Sequence, residues 1–307
     1  MKIIFLFFFS FTLKTQDFNT LNGERVPKVE FQTVQWAGKY VFPNELEPGL
    51  FNSEALDEVE NLLVSVGTIR TLIMFSWCQN ITHLLMTDID KKIVDFNRAH
   101  LAYIKWLSQI YPNNLTAQRM HYMANFLGHE PLAEEVNEWA QLNLSFNQMQ
   151  VEIQKKVLDD ILMPYCNGNP FLKTKVNQKY LNYHLKFDNI FNYKTVKNQK
   201  KYYWESDDYW GKIVNAIEHQ QIAVTNLNIV CDIETLNVFI SQINLKIGAM
   251  DVSNIPNFCG VNSIEWWENL HKIEADRVFF TRVIEKGKFE YSVKEFIDFR
   301  LWLYFGN

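Results

Sequence analysis

The sequence predicts an α/β fold, a three-layer sandwich with a mainly parallel sheet and a helical insertion. Three observations predict it. Short apolar runs bounded by polar turns alternate with longer amphipathic stretches at both ends of the chain, the pattern of strands joined by crossover helices. Acidic residues close three of the apolar runs, at Asp88, Asp232 and Asp251. Between about 115 and 202 the alternation stops, first for helical periodicity and then for a stretch rich in Asn, Tyr and Lys, as an insertion would read.

Residues 1–16 open with Lys2 and the apolar run Ile3 to Leu13. One positive charge before such a run matches the first two parts of a secretory signal. The run is shorter than the roughly 20 residues a spanning helix needs. The reading is a signal peptide and an exported, periplasmic or secreted chain. The alternative is a buried N-terminal strand and a cytoplasmic chain. Residues 17–50 hold Asn22-Gly23, Pro27, Pro43 and Pro48-Gly49 and read as an irregular arm.

From residue 51 a single domain is expected to run to residue 307. Ser53 is placed to cap a helix with Leu56, Val59, Leu62 and Leu63 on one face. The first strand is expected over Ile69 to Phe75, followed by a loop, Ser76 to Asn80, and a second apolar run ending at Asp88-Ile89-Asp90. A helix follows over Lys92 to Gln109, with Ile93, Phe96, Leu101, Ile104 and Leu107 as its stripe. Ala117 to Leu127 reads as a helix that begins the insertion. After it come a helix over Asp207 to Gln220, a strand over Ile222 to Val230, and a helix over Ile233 to Ile243. Next are a strand with its exit loop over Lys246 to Asn254, a helix over Ile264 to Lys272, and a strand over Arg277 to Ile284. The aromatic tail Phe296 to Phe305 is expected to dock on the domain.

Composition narrows the function. Net charge is −5 and the pI about 5.8, so nucleic acid is not an expected partner. The 15% aromatic content reads as a Phe-rich core. Cys78, Cys166, Cys231 and Cys259 form no C-x-x-C pair and the histidines are scattered, so no metal is expected. No G-x-S-x-G, H-E-x-x-H or P-loop sequence occurs. What remains is a small-molecule ligand at the carboxyl edge of the sheet, where open α/β sheets bind. There a carboxylate at a strand tip takes the two hydroxyls of a ribose, and a later Asp or Asn holds an adenine amine. Asp88, Asp232 and Asn254 are spaced for the second, fourth and fifth strands. Each Asp alone also reads as a helix cap or turn former.

An ordered series of segments carries a resemblance: Gln79-Asn80, Asp88-Ile89, His100-Leu101-Ala102-Tyr103, Asp232, Ser253-Asn254, Trp266-Trp267 and Phe279 to Arg282. Together they resemble an uncharacterised bacterial family with a class I S-adenosylmethionine-dependent methyltransferase-like, Rossmann-like core, over roughly residues 40 to 285. The resemblance implies a methyltransferase-like protein using S-adenosylmethionine on an unknown substrate. It implies that Gln79 and Asn80 face the cofactor, Asp88 its ribose and Asp232 its base, with Ser253 and Asn254 at the reacting end. The family's glycine-containing loop is matched here by Met74, Phe75, Ser76 and Trp77. A Trp77 side chain in such a turn would fill the space of the methionine moiety. The alternative is therefore an exported, non-catalytic Rossmann-like protein that binds a ligand or partner beside a degenerate cofactor loop.

Overall fold

Leu62-Leu63-Val64 shows no polar alternation because it belongs to a strand covered on both faces. The structure, a computed structural model, describes residues 60–89, 91–123, 202–243, 245–253, 255, 264–285 and 288–305. In chain order these form β1 (Asn61–Val66), α1 (Ile69–Trp77), β2 (Ile81–Asp88), α2 (Lys91–Ile110) and α3 (Leu115–Tyr122). After a 3-10 turn at Tyr203–Glu205 come α4 (Asp207–Glu218), β3 (Ile222–Asn226), α5 (Ile233–Ile243), β4 (Ile247–Asp251) and α6 (Ile264–Leu270). The chain closes with β5 (Ala275–Glu285), β6 (Lys288–Glu295) and α7 (Phe296–Phe305).

The six strands form one sheet in the order β3-β2-β1-β4-β5-β6. Strands β1 to β5 run parallel, and β6 pairs antiparallel with β5. Side chains alternate across the sheet. Leu63, Leu84, Met86, Ile222, Val224, Ala249 and Phe279 pack on one face against α1, α2 and α4. Leu62, Val64, Leu85, Ala223, Met250, Val278 and Phe280 pack on the other against α5, α6 and α7. This is the expected Rossmann-like three-layer sandwich. Phe299 of the aromatic tail docks edge-on against Trp266.

The register of β1 on β4 slips by one residue between Leu62 and Leu63, leaving Gly248 as the extra residue. A Cβ on Gly248 would stand 1.9 Å from the Glu60 carbonyl oxygen. The residue must be glycine for the chain to enter β1 so close to β4.

The first two elements differ from expectation. Leu62 and Leu63, expected on the face of a helix, lie in strand β1, and Ile69 to Phe75, expected as a strand, lies in helix α1, which also takes in Ser76 and Trp77 of the expected loop. The physical reason is burial. All nine residues of α1 are buried, because the helix lies between the sheet and the layer formed by α4 and the 3-10 turn. A helix covered all round loses its polar stripe, and a short apolar run then reads equally as a strand. Among the described residues, Asp232 and the Ser253 turn follow the third and fourth strands in chain order. The strand expected over Ile222 to Val230 stops at Asn226, where Asn228 starts a hydrogen-bonded turn. Strand β6 lay between two expected elements. The leader, the arm, the proposed Ser53 cap and most of the insertion lie outside the described residues, as do Asp90, Cys166, Cys259 and Asn254.

Candidate functional site

Strand order reverses between β1 and β4, since the chain leaves β1 toward β2 on one side and returns through β4 on the other. Such a reversal opens a crevice at the carboxyl ends of the two strands. The turn out of β1 is Gly67-Thr68, with Gly67 at φ +118. Among the described residues, a Cβ placed on Gly67 meets no atom within 4 Å. The Gly67 amide donates to the Thr87 carbonyl at 3.2 Å. Its carbonyl accepts from Asn97 Nδ2 at 2.8 Å. Asn97 is fully buried, and its Oδ1 accepts no hydrogen bond among the described residues.

Asp88, half-buried, ends β2 next to this turn. It pairs in register with Asn226 at the tip of β3. The Asn226 Nδ2 donates to the carbonyls of Asp88 at 2.8 Å and Ile89 at 2.9 Å, which fixes the strand end that presents the Asp88 carboxylate. Thr87 Oγ1 donates to the Leu227 carbonyl at 3.1 Å and adds a second tie between the two tips.

Across the crevice, Asp251 ends β4 with no exposed surface. One carboxylate oxygen accepts from Ser65 Oγ of β1 at 3.0 Å. The other accepts from Arg70 Nη2 and, at 3.1 Å, from the Ser253 amide. Arg70 is 2% exposed and sits in the first turn of α1. Its Nη1 donates to Ser253 Oγ at 2.9 Å. Ser253 is held in the left-handed region at φ +51, where a non-glycine residue is uncommon. One ion pair and two serines thus bridge the tips of β1 and β4 across the strand reversal.

The expected residues divide. Asp88, Asp232 and Ser253 all follow strand ends on the carboxyl edge. Asp232 serves locally: its Oδ2 accepts from the Asn228 amide at 3.0 Å and its position starts α5, the turn-forming role open to any such Asp. Gln79 and Asn80 do not join them. They are exposed at the C-terminus of α1, and the Asn80 carbonyl accepts from the amide of Asn61, the first residue of β1, at 3.3 Å. That is the amino edge, about 20 Å from the crevice by the rise of a six-residue strand. Trp77 is also at that end of α1, buried and tilted against Tyr202 at 6.2 Å, so it does not plug the crevice. The shift has one cause, the exchange of strand and helix at residues 61–77.

Sequence reasoning passed over Gly67, Arg70, Ser65 and Asn97. Two signals were available. Gly67-Thr68 directly follows an apolar run, and Arg70 is the one charge inside Ile69 to Trp77. Among the described residues the turn that leaves β1 carries a glycine, Gly67, whereas residues 74 to 77 lie inside α1. Among the described residues no three His, Cys, Asp or Glu side chains group to hold a metal. No helix among them is long and apolar enough to cross a membrane.

The family described as Domain of unknown function (DUF7790) matches residues 40–304, a span that includes all six strands. The chain belongs to this family. Among curated proteins none matches it. The DUF7790 match covers the crevice residues from Ser65 to Ser253, and its description names no activity.

Proposed function

We propose that the crevice binds an adenosyl nucleoside, S-adenosylmethionine in the first instance, and that the chain is methyltransferase-like, acting on an unknown substrate. The observation that carries the reading is the Gly67 turn beside the tip carboxylate of Asp88, next to the strand reversal. A glycine with open space at the end of β1 lets a ligand approach the backbone closely, and among the described residues nothing fills that space at Gly67. The Asn97 Oδ1, buried without a partner among the described residues, adds an acceptor behind the same turn. In this reading Asp88 takes the two ribose hydroxyls, the Asn228–Asp232 turn shapes the wall for the base, and Ser253 with Asn254 orients the acceptor. S-adenosylmethionine would supply a methyl group activated on sulfur. The protein would supply orientation rather than acid-base catalysis. Gln79 and Asn80, at the opposite edge, have no part in it.

Calorimetric titration with S-adenosylmethionine and S-adenosylhomocysteine tests the reading. Micromolar binding is expected, weakened about tenfold or more by Asp88→Ala (about 1.4 kcal/mol). Absence of heat at millimolar ligand would contradict it and favour a non-catalytic Rossmann-like protein with another ligand.

A further inference from the structure

We propose that Arg70 receives a carboxylate of the ligand, and that Ser253 Oγ holds the place of that carboxylate until the ligand arrives. The inference rests on the nucleoside reading above and deepens it. S-adenosylmethionine and S-adenosylhomocysteine carry an amino-acid carboxylate beyond their adenosyl part.

Among the described residues the arrangement around Arg70 is asymmetric. Asp251 meets the guanidinium through one oxygen, bonded to Nη2, while its other oxygen is turned to Ser65. The pair is therefore not a two-pronged fork. Nη1 reaches instead to Ser253 Oγ, a neutral oxygen on a half-buried residue at the crevice mouth. A guanidinium edge is shaped for carboxylate or phosphate oxygens, and its hydrogen bonds to ionised oxygens are about twice as strong as those to neutral ones. Replacing the serine hydroxyl by a carboxylate oxygen is thus downhill for Nη1. It also releases Ser253 from the bond that helps hold it at φ +51. Asp251 keeps its other donors, Ser65 Oγ and the Ser253 amide, and still anchors Arg70 through Nη2.

Two carboxylates on one guanidinium leave a negative charge. The N-terminus of α1 lies beside it, with no acidic residue in the first turn, and the positive end of the helix dipole offsets that charge. Arg70 lies three residues after Gly67. The turn that would approach the nucleoside and the cation that would take its carboxylate are therefore joined in one short segment.

The test compares S-adenosylhomocysteine with 5′-methylthioadenosine, which lacks the carboxylate, by titration against the full chain. The wild-type protein is expected to bind S-adenosylhomocysteine about tenfold or more tightly than methylthioadenosine. The charge-neutral double variant Arg70→Met with Asp251→Asn is expected to abolish that preference and leave methylthioadenosine affinity within about threefold. Ser253→Ala removes the competing hydroxyl and is expected to tighten S-adenosylhomocysteine alone. Loss of both ligands alike in a double variant that melts as a folded protein would assign Arg70 a structural role and overturn the inference. So would a preference that survives the double variant, or a wild-type protein that binds both ligands equally. Should the double variant not fold, Ser253→Ala decides: equal effects on both ligands, or none on either, overturn it. Failure of the wild type to bind either ligand removes the nucleoside reading itself, an outcome distinct from these.

Discussion

Arg70 lies in an otherwise uncharged run, and its energetics follow from where that run is buried. With 2% of its side chain exposed and a partner at 0%, the pair has left water almost completely. Removing one member of such a pair strands a charge, which typically costs about 3–5 kcal/mol, whereas replacing both by apolar residues of similar volume is often neutral or stabilising. Arg70→Ala is accordingly expected to lower unfolding stability by about 3–5 kcal/mol, and Arg70→Met with Asp251→Leu to recover most of the loss, both read from urea denaturation midpoints. If the single variant is as stable as the wild type, the bridge between β1 and β4 is not closed in solution. The same residue marks a limit of sequence reading. A lone arginine in an apolar run is visible, but its partner Asp251 is 181 positions away, and nothing local announces the pairing.

At the scale of elements, α2, α3, α4 and the 3-10 turn are joined by a set of buried and half-buried polar contacts. His100 Nε2 and Tyr122 OH are 2.8 Å apart, and Tyr122 OH and Tyr203 OH 2.5 Å. His121 pairs with Tyr111 at 2.8 Å. Trp210 Nε1 donates to Gln118 Oε1 at 2.8 Å, and Arg119 is paired with Asp207. Burial pushes His100 down to about 3 and His121 down to about 4, so both are neutral in the folded chain at neutral pH. An unfolded histidine titrates near 6.5. As pH falls below about 6.5 the unfolded state takes up protons that the folded state refuses, and stability drops by about 1.4 kcal/mol per pH unit for each histidine. The loss continues to about pH 4 for His121 and about pH 3 for His100. His100→Phe, which cannot take up a proton, is expected to flatten this slope in melts run from pH 7.5 to 4.5; an unchanged slope would place the acid sensitivity elsewhere.

Elements whose surroundings leave one face wet were legible. Helix α2 was placed to within a residue or two at each end, and α5 at its bounds, because each keeps a polar side. The strands β2 and β4 were legible from the acid that ends each at the carboxyl edge. What failed was the pair β1 and α1. Both are covered on all sides, so neither carries the alternation or the helical stripe that distinguishes them. That one exchange put the expected loop at residues 74–77 instead of at the exit of β1, Gly67-Thr68, and put Gln79 and Asn80 on the carboxyl edge instead of the amino edge. The candidate site was thus half legible: Asp88 and Ser253 stand where strand-end reasoning puts them, whereas the turn and the cation that complete the crevice needed the fold.

For the whole molecule, the sheet order β3-β2-β1-β4-β5-β6 decides where the strand reversal falls. A single reversal, between β1 and β4, gives a single switch point. The residues that converge on it, Ser65, Gly67, Arg70, Asp251 and Ser253, come from the two strands that flank it and the segments that leave them. Asp88 joins them from the neighbouring tip. The helices on one face bury the large aromatics Trp210, Tyr122 and Tyr203.

Hydrogen exchange with and without S-adenosylhomocysteine tests most directly that the carboxyl edge is the ligand-binding edge. Added protection is expected over Gly67 to Thr71, at Asp88-Ile89 and at Val252-Ser253, with Cys78 to Asn80 unchanged. Protection centred on Cys78 to Asn80, or an exchange pattern the nucleoside leaves unaltered at saturating concentration, would contradict it.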